Sequence, residues 1–362
     1  MSTHSIEIIE IGKIVPHPNP EVERMELTFI WGWQCCIGIN QFKTGDKAIY
    51  VSPDFLVPLG HPSFSFLRKK ENEGKTQERI KVCRLKGAIS QGLIINVPDN
   101  LNHLPVGTNV INELGIERYE PPLPKSTGGD FVGGPSGLYT PVFDVKNWQK
   151  YNTVFQENEH VYVTEKMHGS SSRFTFAVKK PTKPNFLRKI LIFFRNLFSR
   201  PRNEKREFVQ FCGSRINWMK KDDENIWWMA FKQCPAIGEW CKNNPEKILY
   251  GEVFGQVQSL KYGAKVNDIF FAAFGILDKN KWLDFEDAQA LAKEYNVPWV
   301  PLIYSGPWNA EKVIPMAEGQ STWPKANNIR EGVVVLPKKE RYDEKIGRVQ
   351  LKIVSNEYLE KH

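Results

Sequence analysis

Over roughly the first hundred residues, apolar and polar positions alternate in short runs. These are Ile6–Ile11, Leu27–Trp31, Gln34–Ile39, Lys47–Val51, Arg79–Cys83 and Gly92–Val97. A period of two marks strands with one face turned inward. Gly32-Trp33 reads as a hairpin turn between two of them, and Asp46, within Thr44-Gly45-Asp46-Lys47, marks another. Short strands at this density predict a small OB-like barrel. Arg79 and Lys81 alternate with Ile80 and Val82 and so share the outward face, with Arg84 and Lys86 nearby. Barrels of this kind bind nucleic acid with basic and aromatic residues on one face, although a solvated strand face has the same composition.

The pattern then changes. With the barrel assigned to 1–120, residues 121–140 form a Pro/Gly-rich linker (Pro121-Pro-Leu-Pro124, Gly128-Gly129, Gly133-Gly134-Pro135). A second domain, 141–362, opens with Pro141–Gln149. In it Val161, Tyr162 and Val163 read as a strand running toward Gly169. If that strand persists, Lys166 and His168 share a face. Residues 179–206 form a basic insertion. Leu187, Ile190, Leu191, Phe194 and Phe198 fall at helical spacing, with Arg188, Lys189 and Arg195 interleaved. Such a helix can lie on a membrane surface, on RNA, on a partner, or against its own domain. Asn225–Asn243 predicts one or two helices whose Trp227, Trp228, Phe231 and Trp240 are core. Ile269–Leu277 predicts a buried strand. Asp284 caps a helix reaching Tyr295, with Asp287 in its first turn. Strands mixed with helices make this second half an α+β domain.

With 362 residues there is room for two cores, and the net charge of +8 suits a polyanionic partner. The six cysteines (35, 36, 83, 212, 234, 241) show no Cys-x-x-Cys pair and no zinc spacing, which predicts free thiols in a reducing, cytoplasmic setting. The N-terminus lacks a signal-peptide pattern, and no apolar run reaches the roughly 18–20 residues needed to span a bilayer.

Four short stretches carry the candidate chemistry: Glu165-Lys-Met-His-Gly169, Tyr250-Gly-Glu-Val-Phe-Gly255, Glu331-Gly-Val-Val-Val335 and Gln350-Leu-Lys-Ile-Val354. In this order they resemble the motifs of the covalent nucleotidyltransferases, the superfamily of polynucleotide ligases and capping enzymes. Lys166 to Gly169 resembles motif I, Glu252 sits in a motif III look-alike, Phe270–Ile276 in motif IIIa, Glu331 in motif IV and Lys352 in motif V. Lys-x-His-Gly is similar to the RNA ligase 2 group, where DNA ligases and capping enzymes usually have Lys-x-Asp-Gly. Lys13–Asn19, Gly45-Asp46, Pro53-Asp54 and Arg84–Gly92 resemble the N-terminal OB domain of RNA ligase 5, a layout shared by the Naegleria-type RNA ligase. Residue 362 follows soon after Lys352, so this layout is expected rather than one with a C-terminal accessory domain.

The resemblance implies an ATP-dependent RNA ligase that uses Mg²⁺ or Mn²⁺. The implied partner is RNA with 3′-OH and 5′-phosphate ends, with a nicked duplex or an RNA/DNA hybrid among the forms it could take. It implies Lys166 as nucleophile, and a lysine attacks only when neutral, whereas its free pKa is about 10.4. It further implies Thr164 and Glu165 around adenine, His168 in the steps after enzyme adenylylation, and Arg215 at the AMP ribose or phosphate. Glu252 holds the ribose hydroxyls, Phe274 stacks on the base, Glu331 helps bind metal and Lys352 meets the α-phosphate. Three positions depart from the pattern. Gln350 replaces the first lysine of Lys-x-Lys, Phe274 is followed by Gly275 rather than Asp, and Ser171 stands where the phage-like group has Asn. The alternatives are a DNA-nick ligase, a capping guanylyltransferase, or a non-catalytic nucleic-acid-binding protein.

Overall fold

The computed structural model describes residues 5–69, 73–119, 129–142, 144–180 and 206–361. The expected amphipathic stretch 186–198 and residues 121–128 of the 121–140 linker lie outside these residues.

In the first half the predicted alternation becomes short antiparallel pairings. Glu7–Glu10, Lys47–Val51 and Leu93–Asn96 form one sheet, Ile14–Pro16, Met25–Ile30 and Trp33–Gly38 a second. Glu117–Arg118, Phe55–Pro58 and Gln77–Arg79 form a third, and Val82–Leu85 pairs with Ala88–Gln91. Among the described residues these pieces do not close into one continuous ladder. They wrap two clusters of apolar side chains, one containing Ile8, Ile49, Val57 and Phe64, the other Ile9, Ile11, Ile37 and Tyr50. The hairpin turn is one residue earlier than the pattern suggests. Ile30 pairs with Trp33, and Trp31 and Gly32 both take positive φ (52° and 93°). That is the left-handed geometry a two-residue turn needs to match strand twist. Arg79–Cys83 is broken at Ile80-Lys81, and its flanks join different sheets.

The second half carries two larger sheets. One runs in the order Phe131–Val132, Trp218–Met219, Phe208–Ser214, Ser170–Val178, Lys247–Gly255, Ile269–Asp278, Lys281–Trp282. The other runs Lys146–Asn147, Leu351–Val354, Gly332–Pro337, His160–Glu165, Leu302–Pro307. Helices Ile226–Gln233 and Pro235–Asn243 cover the first sheet, with Trp227, Trp228 and Trp240 buried in the shared core as the sequence suggests. Asn225 caps the first of them by accepting from the Trp227 N–H. Asp284 stands at the N-cap of Phe285–Lys293, but its carboxylate is drawn away to Lys339 (2.6 Å) and to the Glu340 N–H (2.8 Å). No helix among the described residues is long and apolar enough to cross a membrane.

Strand His160–Glu165 belongs to the five-stranded sheet and strand Ser170–Val178 to the seven-stranded one. Residues 166–169 are the crossing between them. The expected continuous strand through His168 therefore ends at Glu165, and Lys166 and His168 do not share a strand face. Gly169 makes the crossing tight. A Cβ there would stand 2.2 Å from the Val253 carbonyl oxygen and 2.9 Å from Phe254 Cβ. Backbone cannot yield as a flexible side chain does, so Gly169→Ala should cost about 1–3 kcal/mol. The expected outcome is a fall of several degrees in Tm by calorimetry. An unchanged Tm would mean that the crossing is looser than the geometry describes.

Candidate active site

The two sheets meet over a cavity, and register decides what faces it. Lys352 pairs with Val334, and Val334 with Thr164, so these three form a row across adjacent strands of one sheet. On the other sheet Ser171 pairs with Glu252. Thr164, Glu165, Lys166, Arg215, Glu252, Phe274 and Lys352 all line the cavity. Val300, Leu336 and Phe285 supply apolar wall, and Gln350 lies on the same side as Lys352.

Glu331 is buried just beneath. Its Oε1 lies 2.5 Å from Lys166 Nζ and its Oε2 3.2 Å from His168 Nδ1. The backbone holds this arrangement: Lys166 N–H donates to the Gly332 carbonyl, and Ser355 N–H to the Glu331 carbonyl (2.9 Å each). His168 turns away from the cavity into a second cleft, shared with Asp54, Arg79, Lys81 and Arg118 of the barrel. Its Nε2 faces Ser259 Oγ (3.1 Å), its Nδ1 also faces Tyr358 OH (3.3 Å), and its backbone N–H donates to Tyr262 OH (2.7 Å). The partners favour Nδ1–H toward Glu331 and Nε2 accepting from Ser259.

Electrostatics follow from this packing. Burial pushes the Glu331 carboxyl up, but Lys166 and His168 overcome it and hold the group down at about 2. Burial lowers Lys166, yet the Glu331 carboxylate outweighs it and the net shift is upward. The ligand-free site therefore stores Lys166 as an ammonium ion, the reverse of the lowered pKa a nucleophile needs. Lys352 is lowered, first by burial and then by the charge of Lys166. Glu252 is pushed up to about 8 by burial, with Lys166 opposing and Glu331 reinforcing.

Some cavity atoms have no protein partner. Glu165 accepts from the N–H and O–H of Thr322 through Oε2 (2.7 and 2.8 Å), while its buried Oε1 has no hydrogen-bond partner. The buried Gln350 Nε2 also has none. One lone acceptor and one lone donor fit a polar ligand with both kinds of group. Glu252 and Glu331 offer oxygen ligands to a hard cation. No group of three or more His, Cys, Asp or Glu side chains able to hold a metal occurs among the described residues. A magnesium-like ion fits, because it takes one or two carboxylates and fills its shell with water and phosphate. The sequence pattern did not point to Asp144, which pairs with Arg215 at 3.5 Å, or to Thr322, Ser259, Tyr262 and Tyr358.

The RNA ligase family model matches residues 159–354, just over half of the sequence. The chain belongs to the RNA ligase family. An OB-fold domain model matches residues 6–97 of this ligase. A search of the curated proteins matches none. Among solved structures, a mutant Naegleria gruberi RNA ligase with ATP and Mn is 24% identical, with 99% of each chain covered and a TM-score of 0.75. An apo mutant of that enzyme is 25% identical over 100% of this chain and 99% of that one (TM-score 0.76). Its complex with PPi gives 25%, 99%, 98% and 0.74. The match spans both halves of the ligase, so the barrel-first layout expected from the sequence is the one observed.

Glu252 supplies a test of these electrostatics. A carboxyl raised from 4.5 to about 8 binds more protons folded than unfolded in that window, so its contribution to stability falls as pH rises from 4.5 through 8. Glu252→Gln removes this penalty. In ligand-free protein the variant should exceed wild type in Tm at pH 8.5 by at least about 2 °C more than at pH 5.0. Equal differences at both pH values would refute the assigned shift.

Proposed function

We propose that this ligase is ATP-dependent and joins RNA 3′-OH and 5′-phosphate ends through lysyl-AMP at Lys166 and then an adenylylated RNA. The observation that carries this reading is Lys166 Nζ at the cavity edge, paired with buried Glu331 and sharing the cavity with Glu252 and Lys352.

In this reading the adenine lies between Phe274 and the apolar wall, where aromatic stacking contributes about 1–3 kcal/mol. The lone Glu165 oxygen accepts from its exocyclic amine. Glu252 takes the ribose hydroxyls, Arg215 the ribose or phosphate edge, and Lys352 the α-phosphate. Lys166 attacks the α-phosphorus, a nitrogen–phosphorus bond forms and pyrophosphate leaves. In-line transfer needs charge on the phosphate oxygens more than any other help. Glu331, with Glu252 near, would hold Mg²⁺ or Mn²⁺, which would supply positive charge beside the phosphate oxygens and Lys166 and so favour the neutral amine.

Several finer features belong to the same proposal. The chain divides into a barrel at 1–120, a linker at 121–140 and a transferase domain at 141–362 with an insertion at 179–206. The substrate is RNA with 3′-OH and 5′-phosphate ends, and a nicked duplex or RNA/DNA hybrid is one form that this reading admits. The six free cysteines support a reducing, cytoplasmic setting.

The deciding experiment is incubation with α-labelled ATP, and separately GTP and NAD, with Mg²⁺ or Mn²⁺, followed by a denaturing gel. The expected result is ATP-derived label on the protein that disappears in Lys166→Ala, with loss of all sealing. Label from GTP alone would replace this reading with capping chemistry. No label from any donor would leave a nucleic-acid-binding protein, whose salt-sensitive RNA affinity would survive Lys166→Ala.

A further inference from the structure

The hydrogen bonds of the Glu165 carboxyl are shared unequally. The residue is 1% exposed. Its Oε2 accepts twice, from Thr322 N–H at 2.7 Å and Thr322 O–H at 2.8 Å, while the buried Oε1 accepts from no protein donor. A carboxyl buried only to hold the fold together would have donors on both oxygens, because a buried acceptor left open is costly. Glu165 also lines the nucleotide cavity. Its open oxygen is thus an acceptor kept for what the cavity takes. With both donors on the other oxygen, the carboxyl is held in one orientation.

The loop that supplies those donors is built to stay in place. Thr322 lies between the short 3₁₀ helix Ile314–Ala317 and strand Gly332–Pro337. Buried Arg330 ties the loop together. Its N–H donates to the Gly319 carbonyl (2.9 Å), and its guanidinium donates to the carbonyls of Gln320 (2.9 and 3.2 Å) and Met316 (2.7 Å). Gln320 and Ile329 form an antiparallel bridge, and Ser321 N–H donates to the Asn328 carbonyl at 2.9 Å. On the other side of Thr322, Trp323 packs edge to face on Phe254 with ring centroids 4.9 Å apart. Thr322 itself is exposed, so core packing does not account for its side chain, whose hydroxyl is spent on Glu165.

We infer that Thr322 is the positioning residue that sets base choice: it pins Glu165 so that Oε1 accepts from a 6-amino purine and repels a 6-oxo purine. This rests on the lysyl-AMP reading above. Adenine carries an amine at C6, a donor, where guanine carries a carbonyl, an acceptor. Against a fixed carboxyl oxygen the amine gains a hydrogen bond, and the carbonyl sets two acceptors against each other. A carboxyl free to turn would lose that contrast, and a base without the amine would leave Oε1 open.

The test measures covalent labelling of Lys166 against the concentration of ATP, and of purine riboside triphosphate, whose base lacks the amine. Wild type should need at least about tenfold more of the second to reach half-saturation. Thr322→Val keeps the shape and the backbone N–H but removes the hydroxyl. It should raise half-saturating ATP about tenfold, with the maximal rate within about twofold, and shift purine riboside triphosphate by no more than about twofold. Thr322→Ser keeps the hydroxyl and should stay within about twofold of wild type for both. Because Thr322 acts through Glu165, adding Thr322→Val to Glu165→Ala should weaken ATP no further. Equal use of the two triphosphates by wild type, an unchanged ATP half-saturation in Thr322→Val, an equal rise for both triphosphates, or additive effects with Glu165→Ala would each overturn the inference. If Thr322→Val melts well below wild type, Thr322→Ala is read by the same ratio of the two triphosphates. Wild type that takes no label from ATP would instead sink the lysyl-AMP reading on which this one stands.

Discussion

The site is organised around a single buried carboxylate. Glu331 serves Lys166 with one oxygen and His168 with the other. Burying such a group is costly unless both oxygens are satisfied, and removing either partner leaves charge stranded. Its neighbours are consequently fixed. Lys166 is held protonated, and Glu252, which shares the site without an equally close cation, is driven toward its neutral form. Lys166 is therefore kept as a charged ammonium while a second carboxyl lacks compensation. Both conditions favour the arrival of positive charge near the carboxylates, which under the proposed chemistry would let the same residues store a nucleophile and release it.

The fold makes this arrangement possible by keeping the crossing between its two sheets short. Four residues, 166–169, leave one sheet and enter the other, and Gly169 packs against the Val253 carbonyl with no room for a side chain. Lys166 then faces the cavity formed where the sheets meet, and His168, two residues on, faces the barrel. A longer crossing would let these two side chains drift apart. With it short, both remain within reach of Glu331.

Much of this was legible in the sequence because strand registers translate local motifs into neighbours. Glu252 between Gly251 and Gly255 and Lys352 near the chain end each sit on a strand, and Glu331 immediately before one, that pairs directly or through one neighbour with the motif around Lys166. The barrel was legible for the same reason, since period-two alternation reports burial on one face. What failed was anything set by strand termination or by distant side chains. The strand of Tyr162 stops at Glu165, so the shared face expected for Lys166 and His168 does not exist. Thr322, Tyr262 and Tyr358 reach the site from loops and a helix far along the chain, and no spacing near Lys166 could announce them. Asp284 shows the converse: a good capping residue in the right place whose carboxylate is drawn to Lys339 and the Glu340 N–H rather than to its own helix.

Gln350 brings these threads together. It occupies the cavity beside Lys352 with its amide nitrogen buried and without a partner, at the place where the family resemblance expects a second lysine. Lys352 already sits below its ordinary pKa through burial and the charge of Lys166, so another ammonium there would deepen the strain of the empty site. An amide keeps a donor aimed at the ligand and costs less to bury than a charge. It also forfeits the charge assistance that makes a lysine–phosphate contact about twice as strong as a neutral one. In the reading proposed above, an amide at this place eases burial at the expense of phosphate binding, so Lys352, Arg215 and a bound cation would carry more of the task of gripping a nucleotide.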